Sequence, residues 1–206
     1  MGSPVERAGA LGLAAFQQTV EEPPLAKSRE TDLSGPPLYL VTPQDPEYPP
    51  LLAECSDRPP FLFCRGALRH LSATTLSMVG TRKPSLEGRR AAQEFAAAAA
   101  ESGLVVASGL ALGVDGIAHD AALVAGGSTI AVLPSGMDRV YPARHQKLAE
   151  RVMMEGVLVS EFPLGTPPRK HHFHRRNRTL SGFSEATLVV EAGRPSGTLI
   201  TASAAA

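Results

Sequence analysis

A chain of 206 residues that is 43% apolar and 19% charged can bury one ordinary core with appendages. Its 20 basic residues balance 20 acidic ones, which excludes a protein that coats polyanions through bulk positive charge; any anion site must come from local clustering. With no tryptophan and 5% aromatics, the core is expected to be aliphatic and alanine-rich.

Residues 1–37 differ from the rest. A short helical patch near Leu11–Val20 precedes Glu21-Glu22-Pro23-Pro24 and Ser34-Gly35-Pro36-Pro37, a composition that reads as a linker or the remnant of another module. Glu6 and Arg7 break the order of a signal peptide, and no apolar run approaches the roughly 20 residues needed to span a bilayer. Cys55 and Cys64 form no CxxC pair and fit buried thiols of a reducing cytoplasm. Between Tyr39 and Pro60, prolines alternate with short apolar patches, and irregular structure packed on the main domain is expected.

Regular alternation starts at Phe61. Apolar runs at 61–64, 76–79, 104–107, 129–133, 157–160 and 187–190 predict strands. The intervening stretches 86–101, 114–125, 144–155 and 175–183 predict helices, the first of them alanine-rich. Short, wholly apolar strands separated by helices imply an α/β fold: a doubly wound, mainly parallel sheet covered on both faces, over residues 38–206. The chain stops at Thr201-Ala202-Ser203-Ala204-Ala205-Ala206, inside what reads as the next helix, so a fold truncated at its C-terminal end is expected.

Ligands of open α/β sheets bind beyond the carboxyl ends of the strands. Here those ends read Gly80-Thr81-Arg82-Lys83, Ser108-Gly109 through Gly113, Pro134-Ser135-Gly136 and Glu191 through Ser196-Gly197-Thr198. Four glycine-rich crests beside helix N-termini suggest backbone amides in contact with phosphate. None matches the triphosphate-binding GxxxxGK[ST] or the dinucleotide GxGxxG spacing. The densest charge is Arg169-Lys170-His171-His172-Phe173-His174-Arg175-Arg176-Asn177-Arg178, with five fixed positive charges and an aromatic ring in ten residues. Guanidinium groups grip phosphates bidentately and a ring stacks a splayed base, so this run and Arg82 are expected to converge on one groove.

His171, His172 and His174 sit among repelling cations with no acidic or thiol ligand close by, so no metal is expected; protonation below about pH 6.5 would add to anion attraction. Asp115 and His119, four apart on one helix, read as helix-end stabilisation with His119 as its hydrogen-bond partner, a general-base pair being the other reading. Asp138 is expected to hold either a basic residue or a loop amide, and Tyr141-Pro142 to fix the path of the loop after Gly136.

Taken in order, Gly80-Thr81-Arg82, Ser108 through Leu123 (SGLALGVDGIAHDAAL), Gly136 through Pro142 (GMDRVYP), Ser160-Glu161, Phe173 through Ser184 (FHRRNRTLSGFS) and Val190-Glu191 with Ser196-Gly197-Thr198 resemble the DNA processing protein A (DprA, or Smf) family from about Tyr39 onward. The resemblance implies an extended Rossmann-like domain that binds single-stranded DNA in a positively charged pocket. It also implies a homodimer that protects incoming DNA in natural transformation and helps load RecA, with no catalytic turnover, no cofactor and no membrane association. By that match Arg82, Arg176, Asn177 and Arg178 are the DNA-contacting positions, and Gly80, Ser108, Gly109 and Gly113 belong to phosphate-facing loops; Lys83 and Arg175, beside them in the same basic runs, are expected to join the DNA contacts, and Thr81 the phosphate loop. Gly136, Ser196 and Gly197 complete the expected cradle. Pro134 and His174 depart from the family pattern of glycine and proline. The preceding helical module is expected to survive only as residues 1–37. The other reading is a nucleotide sensor or nucleoside-monophosphate hydrolase of the lysine-decarboxylase-like group, whose Pro-Gly-Gly-x-Gly-Thr-x-x-Glu signature this chain does not carry near Glu191.

Overall fold

In chain order, the elements are β1 (Leu38–Val41), α1 (Pro50–Glu54), β2 (Leu62–Gly66), β3 (Thr75–Val79), α2 (Leu86–Glu101), β4 (Val105–Ser108), α3 (Val114–Val124), β5 (Thr129–Leu133), α4 (Gln146–Glu155), β6 (Val157–Ser160), α5 (Lys170–Ser181) and β7 (Ala186–Val189), with single 3-10 turns at Leu68–Ser72 and Ala143–His145. This computed structural model describes residues 35–193. One sheet runs β1-β2-β6-β5-β4-β3-β7. From β6 through β7 every neighbouring pair is parallel, whereas β2 pairs antiparallel with β6 and β1 antiparallel with β2. The α/β, mainly parallel architecture is therefore as expected. The helix expected at 201–206, the patch at 11–20, Ser196 and Gly197 lie outside the described residues.

The central strands β4, β5 and β6 are buried at every position, which is why they read as unbroken apolar runs. On one face, α2 and α3 meet through Ala96, Ala99, Ala100, Ala118 and Ala122, packed with Met78 and Val106. Small side chains let these helices approach closely; a Cβ at Gly127 would already lie 2.6 Å from Ala100 Cβ. Helix α2 begins where the Ser85 hydroxyl accepts from Gly88 N at 3.0 Å. It ends at Gly103, whose φ of +80° closes the last turn while Leu104 N reaches back to Ala99 O.

Three expectations need correction. The stretch 39–60 is not merely irregular: Leu38–Val41 forms an edge strand in register with β2 (Tyr39 opposite Cys64), and the chain then turns on Asp45, whose carboxylate accepts from Thr42 N and Oγ1, both at 2.8 Å. Its prolines flank the strand instead of interrupting it. Helix α5 starts at Lys170, five residues earlier than the charge-rich sequence indicates, with only the extended Arg169 between it and Pro167-Pro168. Cys64 is buried and burial pushes its thiol upward, while Cys55 is half-buried; both are free.

His119 is not the partner of Asp115. Its Nδ1 lies 2.7 Å from Thr129 Oγ1, and that hydroxyl donates to Val106 O, so the ring must carry its proton on Nδ1. The buried Nε2 has no partner among the described residues. Burial, with the nearby His145 and Arg176 charges, depresses this histidine to about 3. The unfolded chain takes up the proton near 6.5 while the folded one resists until about pH 3, so stability falls as pH drops through that window. Urea midpoints compared at pH 7.5 and pH 5 should fall more steeply for the wild type than for His119→Gln; parallel profiles would contradict the assignment.

Candidate functional site

The sheet reverses its direction of growth at β3. Strands β4, β5 and β6 follow on one side, and β7 returns to the other, so the carboxyl ends of β3 and β7 flank the switch point. The glycine-rich crests do lie along this edge, but several of the amides on them are engaged within the protein. Thr81 N donates to Glu191 O at 2.7 Å, Gly136 N to Thr166 O at 2.9 Å, and Gly109 N and Ala111 N to Asp115 Oδ2 at 3.2 and 3.3 Å. Ser108 is buried and donates its hydroxyl to Met78 O at 2.6 Å. Gly80 packs against Val114 at the head of α3. At Gly113 a φ of +82° turns the chain into α3, and a Cβ there would sit 2.3 Å from Thr81 O.

The arginine cluster divides by helical periodicity. Arg176 and Phe173, three apart, share one face of α5, and Arg175 and Arg178 share another. The Arg176 side chain is only 7% exposed, and its guanidinium occupies the volume that a Cβ at Gly109 would take, 1.0 Å from Nη1. Its nearest carboxylate is Asp115, at 3.8 Å. Its Nε and Nη1 have no hydrogen-bond partner among the described residues. Burial raises the Asp115 carboxyl and lowers the Arg176 guanidinium, and each group's charge opposes the shift of the other. Arg82 lies 5.5 Å from the Phe173 ring centre and Arg176 6.0 Å from the same ring, with Tyr141 edge-on at 5.7 Å. Arg82 and Arg176 thus converge on Phe173.

Arg175 and Arg178 do not join them. Arg175 Nε pairs with the buried Glu161 carboxylate at 2.7 Å, and Arg178 Nη1 with Asp57 at 2.9 Å. Asn177 is half-buried, its carbonyl accepting from Ser181 Oγ. Of the histidines, His172 is buried, stacked on Phe162 at 4.0 Å and bonded through Nδ1 to Pro134 O. Its pKa is lowered, chiefly by burial, which works against the gain of charge expected of it below about pH 6.5. His171 and His174 remain exposed. Asp138 serves both expected roles, accepting from Gly165 N at 2.7 Å and lying 3.4 Å from Arg139 Nε. The Tyr141-Pro142 peptide is cis. Among the described residues no group of histidines, cysteines and carboxylates could hold a metal, and no helix is long and apolar enough to cross a membrane.

A cavity of about 800 Å³ opens beside this crest, lined by Arg82, Lys83, Arg89, Leu112, Gly113, Gly116, Ile117, Asp120, Arg144, His145, Lys147, Leu148 and Arg151. Six cationic side chains face one carboxylate there, Asp120, which pairs with Arg151 at 2.5 Å. The Ala143–His145 turn is pinned onto α3: His145 Nδ1 lies 2.8 Å from Leu110 O, and its ring fills the space over Gly116. Of these cations, sequence reasoning found Arg82 and Lys83 and missed Arg89, Arg144, Lys147 and Arg151. The spacing of Lys147 and Arg151, four apart on α4 with Arg144 just ahead, was the available signal.

The family model described as DNA recombination-mediator protein A matches residues 39–206. The protein Smf of Escherichia coli (strain K12) is 45% identical over 168 residues, covering 81% of this chain and 45% of that protein. The DNA processing protein DprA of Bacillus subtilis (strain 168) is 37% identical over 179 residues, covering 86% and 59%. Among solved structures, DNA processing protein A from Streptococcus pneumoniae superposes with a TM-score of 0.77 at 37% identity, covering 81% of this chain and 58% of that one. The Helicobacter pylori protein, whose structure is described as giving insight into its single-stranded DNA binding mode, does so at 0.74 and 29%, covering 81% and 75%. The chain belongs to the DNA recombination-mediator protein A (DprA/Smf) family. It spans about half the length of the curated relatives it matches.

Removing one member of a buried ion pair leaves the other uncompensated, whereas an exposed pair contributes little. Asp115→Ala should therefore lower the unfolding free energy by about 3–5 kcal/mol. Arg178→Ala, whose pair is roughly half exposed, should change it by less than about 1 kcal/mol. Urea denaturation of both variants checks the contrast, and equal losses would contradict it.

Proposed function

We propose that this chain binds single-stranded DNA along the cavity between α2, α3 and α4, with Arg82 at the junction between that groove and the Phe173 ring. The observation that carries the reading is the meeting of six cations from four segments of the chain around one groove, ending at a ring flanked by two guanidinium groups. Arg82, Lys83, Arg89, Arg144 and Lys147 are assigned to phosphates, which fix position without reading sequence. Phe173, backed by Tyr141, is assigned to stacking a splayed base, which a paired base inside a duplex does not offer. Arg176 acts from behind the ring, and Asn177 beside it; Arg175 and Arg178 contribute after exchanging their carboxylate partners for phosphate. The single-stranded DNA binding described for the Helicobacter pylori relative supports this reading. In the cell we assign the protein to the cytoplasm, as a homodimer without catalytic turnover or cofactor, protecting incoming DNA in natural transformation and helping to load RecA.

Phosphate-dominated binding of single strands weakens with salt by about 0.7 log-log slope units per contact. Fluorescence anisotropy with oligo(dT) should show that slope reduced by about 0.7 in Arg82→Ala and again in Arg144→Ala. Phe173→Ala should lose about 1–3 kcal/mol with the salt slope nearly unchanged. Equal affinity for an uncharged-backbone analogue would overturn the proposal. Light scattering should return twice the mass of one chain; a monomer at micromolar concentration would remove the homodimer from it.

A further inference from the structure

We propose that the switch-point cradle of this sheet is occupied by the chain's own Glu191, which makes Glu191 a specificity determinant against mononucleotides and free phosphate. In open α/β sheets, the crevice at the switch point and the helix N-terminus opening into it are where phosphate-bearing ligands settle. Helix α2, 16 residues long, opens from the end of β3 at that point. An anion is already there. Glu191 Oε2 accepts from Ser85 N at 3.0 Å and Ser85 Oγ at 2.8 Å, and Oε1 lies 3.3 Å from the same amide.

The surrounding structure is shaped to this carboxylate. A Cβ at Gly88 would lie 1.9 Å from Oε2, so the first turn of α2 has room for the carboxylate only because residue 88 has no side chain. The backbone on either side is closed as well: Thr81 N donates to Glu191 O, and Val114 N, the first amide of α3, donates to Thr81 O at 3.2 Å. A phosphate entering this crevice would have to displace a carboxylate of its own charge from two donors. Glu191 does not line the cationic cavity, so a strand lying there meets no such competition. The inference stands apart from the strand-binding reading, since it concerns the sheet edge and not the groove.

The test is amide NMR of the full chain titrated with inorganic phosphate and, separately, AMP. In the wild type the Ser85 and Gly88 resonances should stay in place. In Glu191→Ala they should shift, with AMP bound at least about tenfold more tightly than by the wild type. Glu191→Gln, which keeps the shape and drops the charge, should show the same shifts and serves if the alanine variant does not fold. Equal shifts at Ser85 and Gly88 in the wild type would show an open cradle, and absence of shifts in a folded variant would show no cradle beneath Glu191; either overturns the proposal. Oligo(dT) affinity should stay within about twofold in both variants, well under the tenfold that corresponds to about 1.4 kcal/mol. A large loss in a folded variant would overturn the separation of edge and groove. If the wild type fails to bind oligo(dT), the strand reading falls, and the Ser85 and Gly88 shifts still decide this one.

Discussion

The guanidinium of Arg176 sits under the turn between β4 and α3, where three parts of the fold depend on it. A buried cation is tolerable only when its charge is balanced, and the balance comes from Asp115 in the first turn of α3. The same carboxylate holds the amides of Gly109 and Ala111, so turn, helix and cation share one anion. Gly109 must lack a side chain because the guanidinium fills that space. Phe173, one turn earlier on α5, is thereby fixed at the rim, where Arg82 packs against it. The rest of α5 is anchored independently: Glu161 accepts from the Thr179 hydroxyl, and Ser77 donates to Leu180 O at 3.2 Å.

Asp115 is one instance of a wider arrangement. Each crest at the carboxyl edge of the parallel strands carries a carboxylate bonded within the protein: Glu191 at the head of α2, Asp115 beyond β4, Asp138 beyond β5 and Glu161 beyond β6. Glu191 takes the amide and hydroxyl of Ser85, Asp115 the amides of Gly109 and Ala111, Asp138 the amide of Gly165, and Glu161 the Arg175 guanidinium and Thr179 hydroxyl. The glycine-rich loops therefore build tight internal turns, and accessible positive charge is carried by side chains on the flanks of the helices. This explains how a chain whose charges sum to zero presents a groove with six cations and one carboxylate.

The sequence made the central sheet legible for a physical reason: strands buried on both faces must be apolar throughout, and β5 and β6 fall where their runs do. Strand β1 escaped because four residues between prolines are too short for a pattern, and its place is set by pairing with β2. The basic run on α5 was visible as charge. What composition could not convey is that a 100° step per residue turns Arg176 inward and sends Arg175 and Arg178 to Glu161 and Asp57. The cationic groove was hidden because Arg82, Arg89, Arg144 and Lys147 lie on separate elements that only the right-handed crossovers bring together. Asp115 and His119 looked like a pair on one helix face, yet each is claimed by a different strand end, Asp115 by the β4 crest and His119 by Thr129 of β5.

The placement of the cations bears on the kind of polyanion the surface can take. With no net charge there is little long-range field, and exposed charges are screened beyond roughly 8 Å at physiological salt. Attraction is then confined to the groove, so several phosphates must lie within it together for binding to accumulate. A nucleoside monophosphate offers a single phosphate, and on the inference drawn above it would meet Glu191 at the sheet edge. On the proposed reading, a flexible strand would lay successive phosphates past Arg144, Lys147 and Lys83 and bring a base to Phe173 beside Arg82. A stiff duplex keeps its bases stacked inward and leaves that ring without a partner. On the proposed reading, groove and ring together would favour an extended, unpaired polyanion, a preference that follows from where the charges sit more than from how many there are.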